Sequence, residues 1–224
     1  FMSPGTSIVI ATPPVNPNSP PTPLVNPTSL HLSNNSSIVG CGAMWQGILT
    51  SNRSNVRLWS GSQIQDAEIA IHCTGQPDPT ANLTTPAFAN NIPFIELSGC
   101  TFNNNRNHVK MVNINDPNLT VQPITFTNAI VFDCNRPSGL LPPYQTPAQS
   151  NFRTDVALSF RRLNADLIIQ STGNMSFNNM NTAIRAVQEG RNDATLLDRR
   201  FEVYRTRINF NNPPLPDNEP LIVK

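Results

Sequence analysis

Charge is scarce in this sequence. Asp, Glu, Lys and Arg make up 13% of its 224 residues, about half the roughly 25% usual for soluble domains. The 15 basic and 14 acidic side chains leave a formal net charge of +1. Nothing in that balance argues for bulk attraction to nucleic acid. Long apolar runs are lacking too, and no stretch approaches the roughly 20 residues of a membrane-spanning helix. No leader-type segment is recognisable, and strand-like Ser7-Ile8-Val9-Ile10 lies close behind Phe1. The expectation is a processed precursor or a fragment of a larger protein. The four cysteines, Cys41, Cys73, Cys100 and Cys134, are far from any C-x2-C zinc spacing. Buried free thiols are the first reading, since free cysteine behaves as a small hydrophobe. Two disulfides in an exported protein are the second.

What fills the polar surface instead is Asn, Ser and Thr, short side chains suited to turns and stacked polar ladders. A repeat organises them. Ile64-Gln65-Asp66-Ala67-Glu68-Ile69-Ala70-Ile71 aligns without gaps with Phe102-Asn103-Asn104-Asn105-Arg106-Asn107-His108-Val109 and with Phe177-Asn178-Asn179-Met180-Asn181-Thr182-Ala183-Ile184. In each copy a large apolar residue is followed seven positions later by a β-branched one, across a mostly polar turn. A strand-like run precedes each copy: Val56-Arg57-Leu58, Phe94-Ile95-Glu96-Leu97 and Leu167-Ile168-Ile169. A looser earlier copy runs from Leu30 through Ile38 to Ile48, and a partial last one from Phe201 to Phe210.

One such unit cannot bury its own apolar side, but stacked units bury a continuous core. The fold class expected is all-β, a parallel β-helix or solenoid. Ile64, Phe102 and Phe177 form one inward column, and Ile71, Val109 and Ile184 another. Asp66, Asn104 and Asn179 share a turn position. A β-sandwich with irregular strands is the competing architecture. Pro-rich segments leave the stack, because proline cannot donate to a sheet ladder. They lie near 11–27, which holds seven prolines, near 76–93 and near 135–150. The domain reading is a solenoid over 1–210 with these insertions, then a Pro-rich tail or linker over 211–224.

Gly40-Cys41-Gly42-Ala43-Met44-Trp45-Gln46-Gly47-Ile48, then Ser62-Gln63-Ile64-Gln65-Asp66-Ala67-Glu68-Ile69-Ala70-Ile71, then Cys100-Thr101-Phe102-Asn103-Asn104-Asn105 together resemble the right-handed parallel β-helix repeat proteins secreted by Bacteroidota. These are large surface or extracellular proteins, often exported by the type IX route. The resemblance covers residues 28–114 and, less closely, 151–210. It implies a right-handed solenoid at the cell surface or outside the cell, and the open ends of the repeat are read as those of an incomplete part of a longer solenoid. It further implies a non-catalytic structural or adhesion module that presents loops to surface glycans or to other subunits of an extracellular assembly. Related β-helices that are polysaccharide lyases or glycoside hydrolases supply the alternative.

The residues lean away from catalysis. A hydrolase needs at least a pair of carboxylates and a lyase needs a base and cations. Asp66 and Glu68 are close in sequence but read as solvent-facing turn residues. No cofactor or metal is implied. The register places His72, Lys110 and Arg185 in one outward column, with His108 two positions before Lys110 on the same side. The functional reading is a strip for anionic glycans; the plainer one is a solvated face. Trp59 follows inward Leu58 and so points out as a contact residue, whereas Trp45 reads as packing. Six Asn-x-Ser/Thr triplets, at Asn34, Asn35, Asn52, Asn82, Asn118 and Asn174, matter only in a host that glycosylates asparagine.

Overall fold

The computed structural model describes residues 1–11, 28–51, 54–75, 93–112, 114, 122–144, 152–161 and 167–187, with the backbone of strands at 201–203, 206–209 and 222–223. The predicted excursions over 12–27, 76–92 and 145–150, and most of the predicted tail, lie outside these residues. So do Asn52, Asn82 and Asn118.

Among the described residues the protein is all-β, without a helix, and every strand pairing is parallel. No helix is long and apolar enough to cross a membrane. The chain enters with β1 (Ser7–Ile10) and then winds in three-strand coils. The first is β2 (Thr28–Leu32), β3 (Ser37–Val39) and β4 (Trp45–Thr50). The second is β5 (Ser54–Trp59), β6 (Gln63–Gln65) and β7 (Ala67–Thr74). The third is β8 (Phe94–Ser98), β9 (Thr101–Asn103) and β10 (Asn107–Val112). The fourth is β11 (Ile124–Thr127), β12 (Ile130–Asp133) and β13 (Thr154–Arg161). The fifth is β14 (Leu167–Ile169), β15 (Met175–Asn178) and β16 (Met180–Val187). Last come β17 (Phe201–Val203), β18 (Thr206–Asn209) and β19 (Ile222–Val223).

Corresponding strands stack into three main sheets. The four-stranded sheet runs β11-β8-β5-β2, the six-stranded sheet β18-β15-β12-β9-β6-β3, and the seven-stranded sheet β1-β4-β7-β10-β13-β16-β19. β14 and β17 form a separate pair. Within the predicted tail, Ile222 and Val223 pair with Ile184 and Arg185.

The predicted columns form. Ile64 pairs with Phe102, Phe102 with Phe132, and Phe132 with Phe177. The three rings stack at centroid distances of 5.2 and 4.9 Å and interplanar angles of 19° and 11°. The second column runs Ile48, Ile71, Val109, Leu158 and Ile184. The fourth coil was not legible in the repeat. It carries Phe132 and Leu158, but an insertion separates them, so the seven-residue offset is lost. Phe132 is fully buried between two rings. Its replacement by alanine should leave a cavity costing about 3–5 kcal/mol, read from a urea denaturation midpoint.

The turns explain the Asn-rich composition. Asp66, Asn104 and Asn179 have φ of 61°, 52° and 57°, the left-handed region that Asn and Asp tolerate better than most residues. They do share one turn position, as the sequence predicts. Their side chains do not bond one another directly. Asn179 donates to Asp133 at 2.9 Å, Asn104 donates to Asn135 at 3.4 Å, and Asp66 accepts from Arg136 at 2.7 Å. The intervening fourth coil supplies the partners.

The seven-stranded sheet departs from strict alternation at one level. Ala70 and Ile71 are both buried, as are His108 and Val109, Ala157 and Leu158, and Ala183 and Ile184. Each strand therefore turns one extra residue inward. β4 lacks that residue and shifts register between Gly47 and Ile48. Gly47 sits at φ +111°, where a Cβ would lie 1.7 Å from the Ile69 carbonyl oxygen, so a side chain there cannot be accommodated.

Candidate functional site

The outward face of the seven-stranded sheet gathers most of the sequence-predicted site. Leu49 pairs with His72, His72 with Lys110, Lys110 with Ser159, and Ser159 with Arg185. His72 and Lys110 are thus adjacent rungs, while Arg185 is separated from Lys110 by Ser159. Burial, and next the Lys110 cation, hold the His72 imidazole below its ordinary range. At the amino-terminal end the column becomes apolar, with Val9 and Leu49 63% and 38% exposed.

A second outward ladder lies nearer the turn. Register places Glu68, Arg106 and Asp155 on successive coils. Arg106 Nε meets Asp155 Oδ2 at 2.9 Å and Nη1 meets Glu68 Oε2 at 3.7 Å. The Tyr144 hydroxyl donates to Glu68 at 2.7 Å and accepts from Arg106 Nη1 at 2.5 Å, with the guanidinium carbon 4.8 Å from the ring centroid. Tyr144 arrives on a strap. After β12, residues 134–144 run back along the stack instead of continuing into the next strand. Arg136 donates to Asp66 two coils away, and the Pro142 carbonyl accepts the Met44 N–H of the first coil at 2.9 Å. Leu140 packs with Met44 and Cys134 beneath, flanked by Leu141, Tyr144 and Phe152. The strap thus reaches across three inter-coil steps, about 14 Å at a strand spacing of ~4.8 Å.

Two sequence expectations about carboxylates are corrected here. Asp66 is 1% exposed, not solvent-facing. Burial raises its carboxyl above the ordinary range, and the Arg136 bond pulls the other way. Glu68 lies on β7, half-buried and bonded to Tyr144, rather than in a turn. Among the described residues the acids Asp66, Glu68, Glu96 and Asp155 each face an arginine, with Arg57 3.4 Å from Glu96. No group of three or more His, Cys, Asp or Glu side chains is placed to hold a metal among the described residues.

His108 is also corrected. It lies two residues before Lys110, yet the extra inward residue of β10 turns it into the core, where it is fully buried. Its ring sits 5.8 Å from Phe102 and 5.6 Å from Phe132. Nδ1 is 3.1 Å from the Asn105 amide nitrogen, and Nε2 is buried with no hydrogen-bond partner among the described residues. Desolvation pushes its pKa down to about 3. The proton therefore sits on Nε2 and Nδ1 accepts. Asn105, itself buried, also donates to the Ile64 carbonyl at 3.0 Å and accepts the Ala67 N–H at 2.8 Å.

Trp59 does point out of β5, as alternation predicts, but on the four-stranded sheet. It is not part of the His72–Lys110 column. His31 meets its ring edge-on at 4.5 Å between centroids, and the Arg57 guanidinium carbon lies 5.9 Å from its centroid. The indole is therefore packed by its own neighbours. Trp45 is fully buried, and its indole N–H donates to the Gln65 carbonyl at 2.9 Å. All four cysteines are free thiols. Cys41 is exposed and the other three are buried, with burial pushing the Cys100 thiol up to about 12.

Arg106, Arg136, Tyr144 and Asp155 were missed by sequence reasoning. Arg106 was visible inside a repeat copy. The others lie at the fourth coil or its insertion, where no periodicity marks them. Comparison with family models, with curated proteins and with solved structures finds no match to this chain.

Proposed function

We propose that this chain is part of a right-handed parallel β-helix that serves as a non-catalytic structural or adhesion module at the cell surface or outside the cell. It works as a stiff stack of coils that offers its outward faces and loops to glycans or partner subunits. The observation that carries this reading is the use made of the carboxylates. Each of the four that face an arginine is engaged within the wall of the stack, two of them through the strap. Acids held this way brace coils; a glycosidase needs one carboxylate free to give a proton and another free to attack or to activate water. The parallel, three-sheet winding and the resemblance in residues 28–114 support the hand and the setting.

The test is turnover. Purified protein is incubated with neutral, uronate-containing and sulfated polysaccharides, and new reducing ends and unsaturated uronate absorbance are followed. No turnover above a heat-denatured control is expected. Cleavage that disappears when Tyr144 is changed to Phe or Lys110 to Gln would overturn the reading in favour of a polysaccharide-active enzyme.

A further inference from the structure

We infer that the outward face of the seven-stranded sheet binds a linear anionic polysaccharide, laid along the stacking axis, whose acid groups recur on every second sugar. This deepens the display-module reading and rests on it. The register carries it. Lys110 and Arg185 occupy the same column with Ser159 between them, so the two cations stand two rungs apart, about 10 Å at a strand spacing of ~4.8 Å. That pitch is about the length of a disaccharide. His72 extends the column by one rung with a ring that offers a hydrogen bond. Arg161, exposed on the next outward column opposite Val112 and Val187, widens the basic side. Arg161 and Arg185 each have a contact of their own. A guanidinium carries five donors in a planar fork and can serve a second acceptor.

The rest of the face suits a chain lying flat on it. The residue between the two cations is a serine, and Thr74 and Val112 lie level with Arg161 in register, so among the described residues no bulky side chain stands between the rungs. Among the described residues the acids of the same face are confined to the Glu68–Arg106–Asp155 ladder, where Arg106 pairs with both. They do not oppose an anion on the Lys110 column at close range. The spacing also argues against nucleic acid. Duplex DNA carries one charge per ~1.7 Å of axis, far denser than a cation at alternate rungs, and the chain as a whole has a net charge of only +1.

The experiment measures binding by calorimetry at low and moderate salt. The probes are a decasaccharide alternating uronate with N-acetylhexosamine, a polyuronate of equal length with an acid on every sugar, a neutral glucan, and a short DNA duplex. The alternating oligomer is expected to bind best, and Lys110→Gln with Arg185→Gln should weaken it roughly tenfold or more. Circular dichroism checks that the outward substitutions leave the fold intact. The inference is overturned if the alternating oligomer binds no better than the glucan, if the dense polyuronate or the DNA binds as tightly, or if the double variant binds like the unaltered protein. Absence of binding without turnover removes this inference and leaves the display module standing. Turnover that is lost with Tyr144→Phe or Lys110→Gln removes the display module whatever the binding result.

Discussion

Between pH 8 and pH 4 the His108→Leu variant should lose less stability than the unaltered protein, by on the order of 3 kcal/mol. The sign follows from where the proton goes. In the folded protein the imidazole pKa is held down to about 3, from an ordinary 6.5, by complete burial. In the unfolded chain it titrates normally. Above pH 6.5 neither state binds the proton and His108 contributes no pH dependence. As the pH falls below 6.5 the unfolded state takes up a proton that the folded state refuses, and stability is lost until the pH nears the folded value. Leucine refuses protons in both states. Other groups titrate alike in the two proteins, so the difference between their curves isolates His108. Urea midpoints at four or five pH values measure it. Superimposable profiles would mean that the imidazole is charged, or solvated, in the folded state.

Breaking the Arg136–Asp66 pair should have the next largest effect. Arg136→Met leaves the Asp66 carboxylate at 1% exposure with, among the described residues, only Gln65 donating to it, at 3.1 Å. Removing one partner of a buried ion pair costs about 3–5 kcal/mol, because the other charge is left uncompensated. A loss toward the lower end of that range is expected at pH 7, since protonation of Asp66 limits it. Two further measurements tie the loss to that charge. The destabilisation should shrink as the pH falls toward the raised carboxyl range. The double variant Arg136→Met with Asp66→Asn should recover most of the stability, because asparagine keeps the left-handed turn and carries no charge. Thermal denaturation of Arg136→Met, Asp66→Asn and the double variant gives the coupling energy. A double variant as unstable as Arg136→Met alone would assign the loss to strap packing instead.

The stack was legible in the sequence because its core columns are local. Ile64 and Ile71, Phe102 and Val109, and Phe177 and Ile184 repeat one short offset, and the pairings Ile64–Phe102 and Ile71–Val109 follow from it. The fourth coil was illegible because columns register position in space. Phe132 and Leu158 occupy the same two columns, but the strap and residues 145–151 intervene. His108 was misplaced for a different reason. Counting by twos from Lys110 assumes unbroken alternation, and β10 turns one extra residue inward before Val109. The alanines at the same level, Ala70, Ala157 and Ala183, carry that bend in the other coils, and alanine gives no pattern signal because it fits either face. Asp66 was taken as exposed because its partner lies 70 residues away. Glu68 and Tyr144 are 76 apart. No periodicity reports contacts of that kind.

The strap has a further consequence for synthesis. A chain leaving the ribosome amino end first presents each new coil to the one made before it, so the strand pairings can be completed in order. Arg136 and Tyr144 break that order by reaching back to the second coil. The second coil is therefore laid down before the 70 residues that separate Asp66 from its cation have followed it. The stack tightens in a single late event, when the chain from the fourth coil folds back and fastens the coils already laid down.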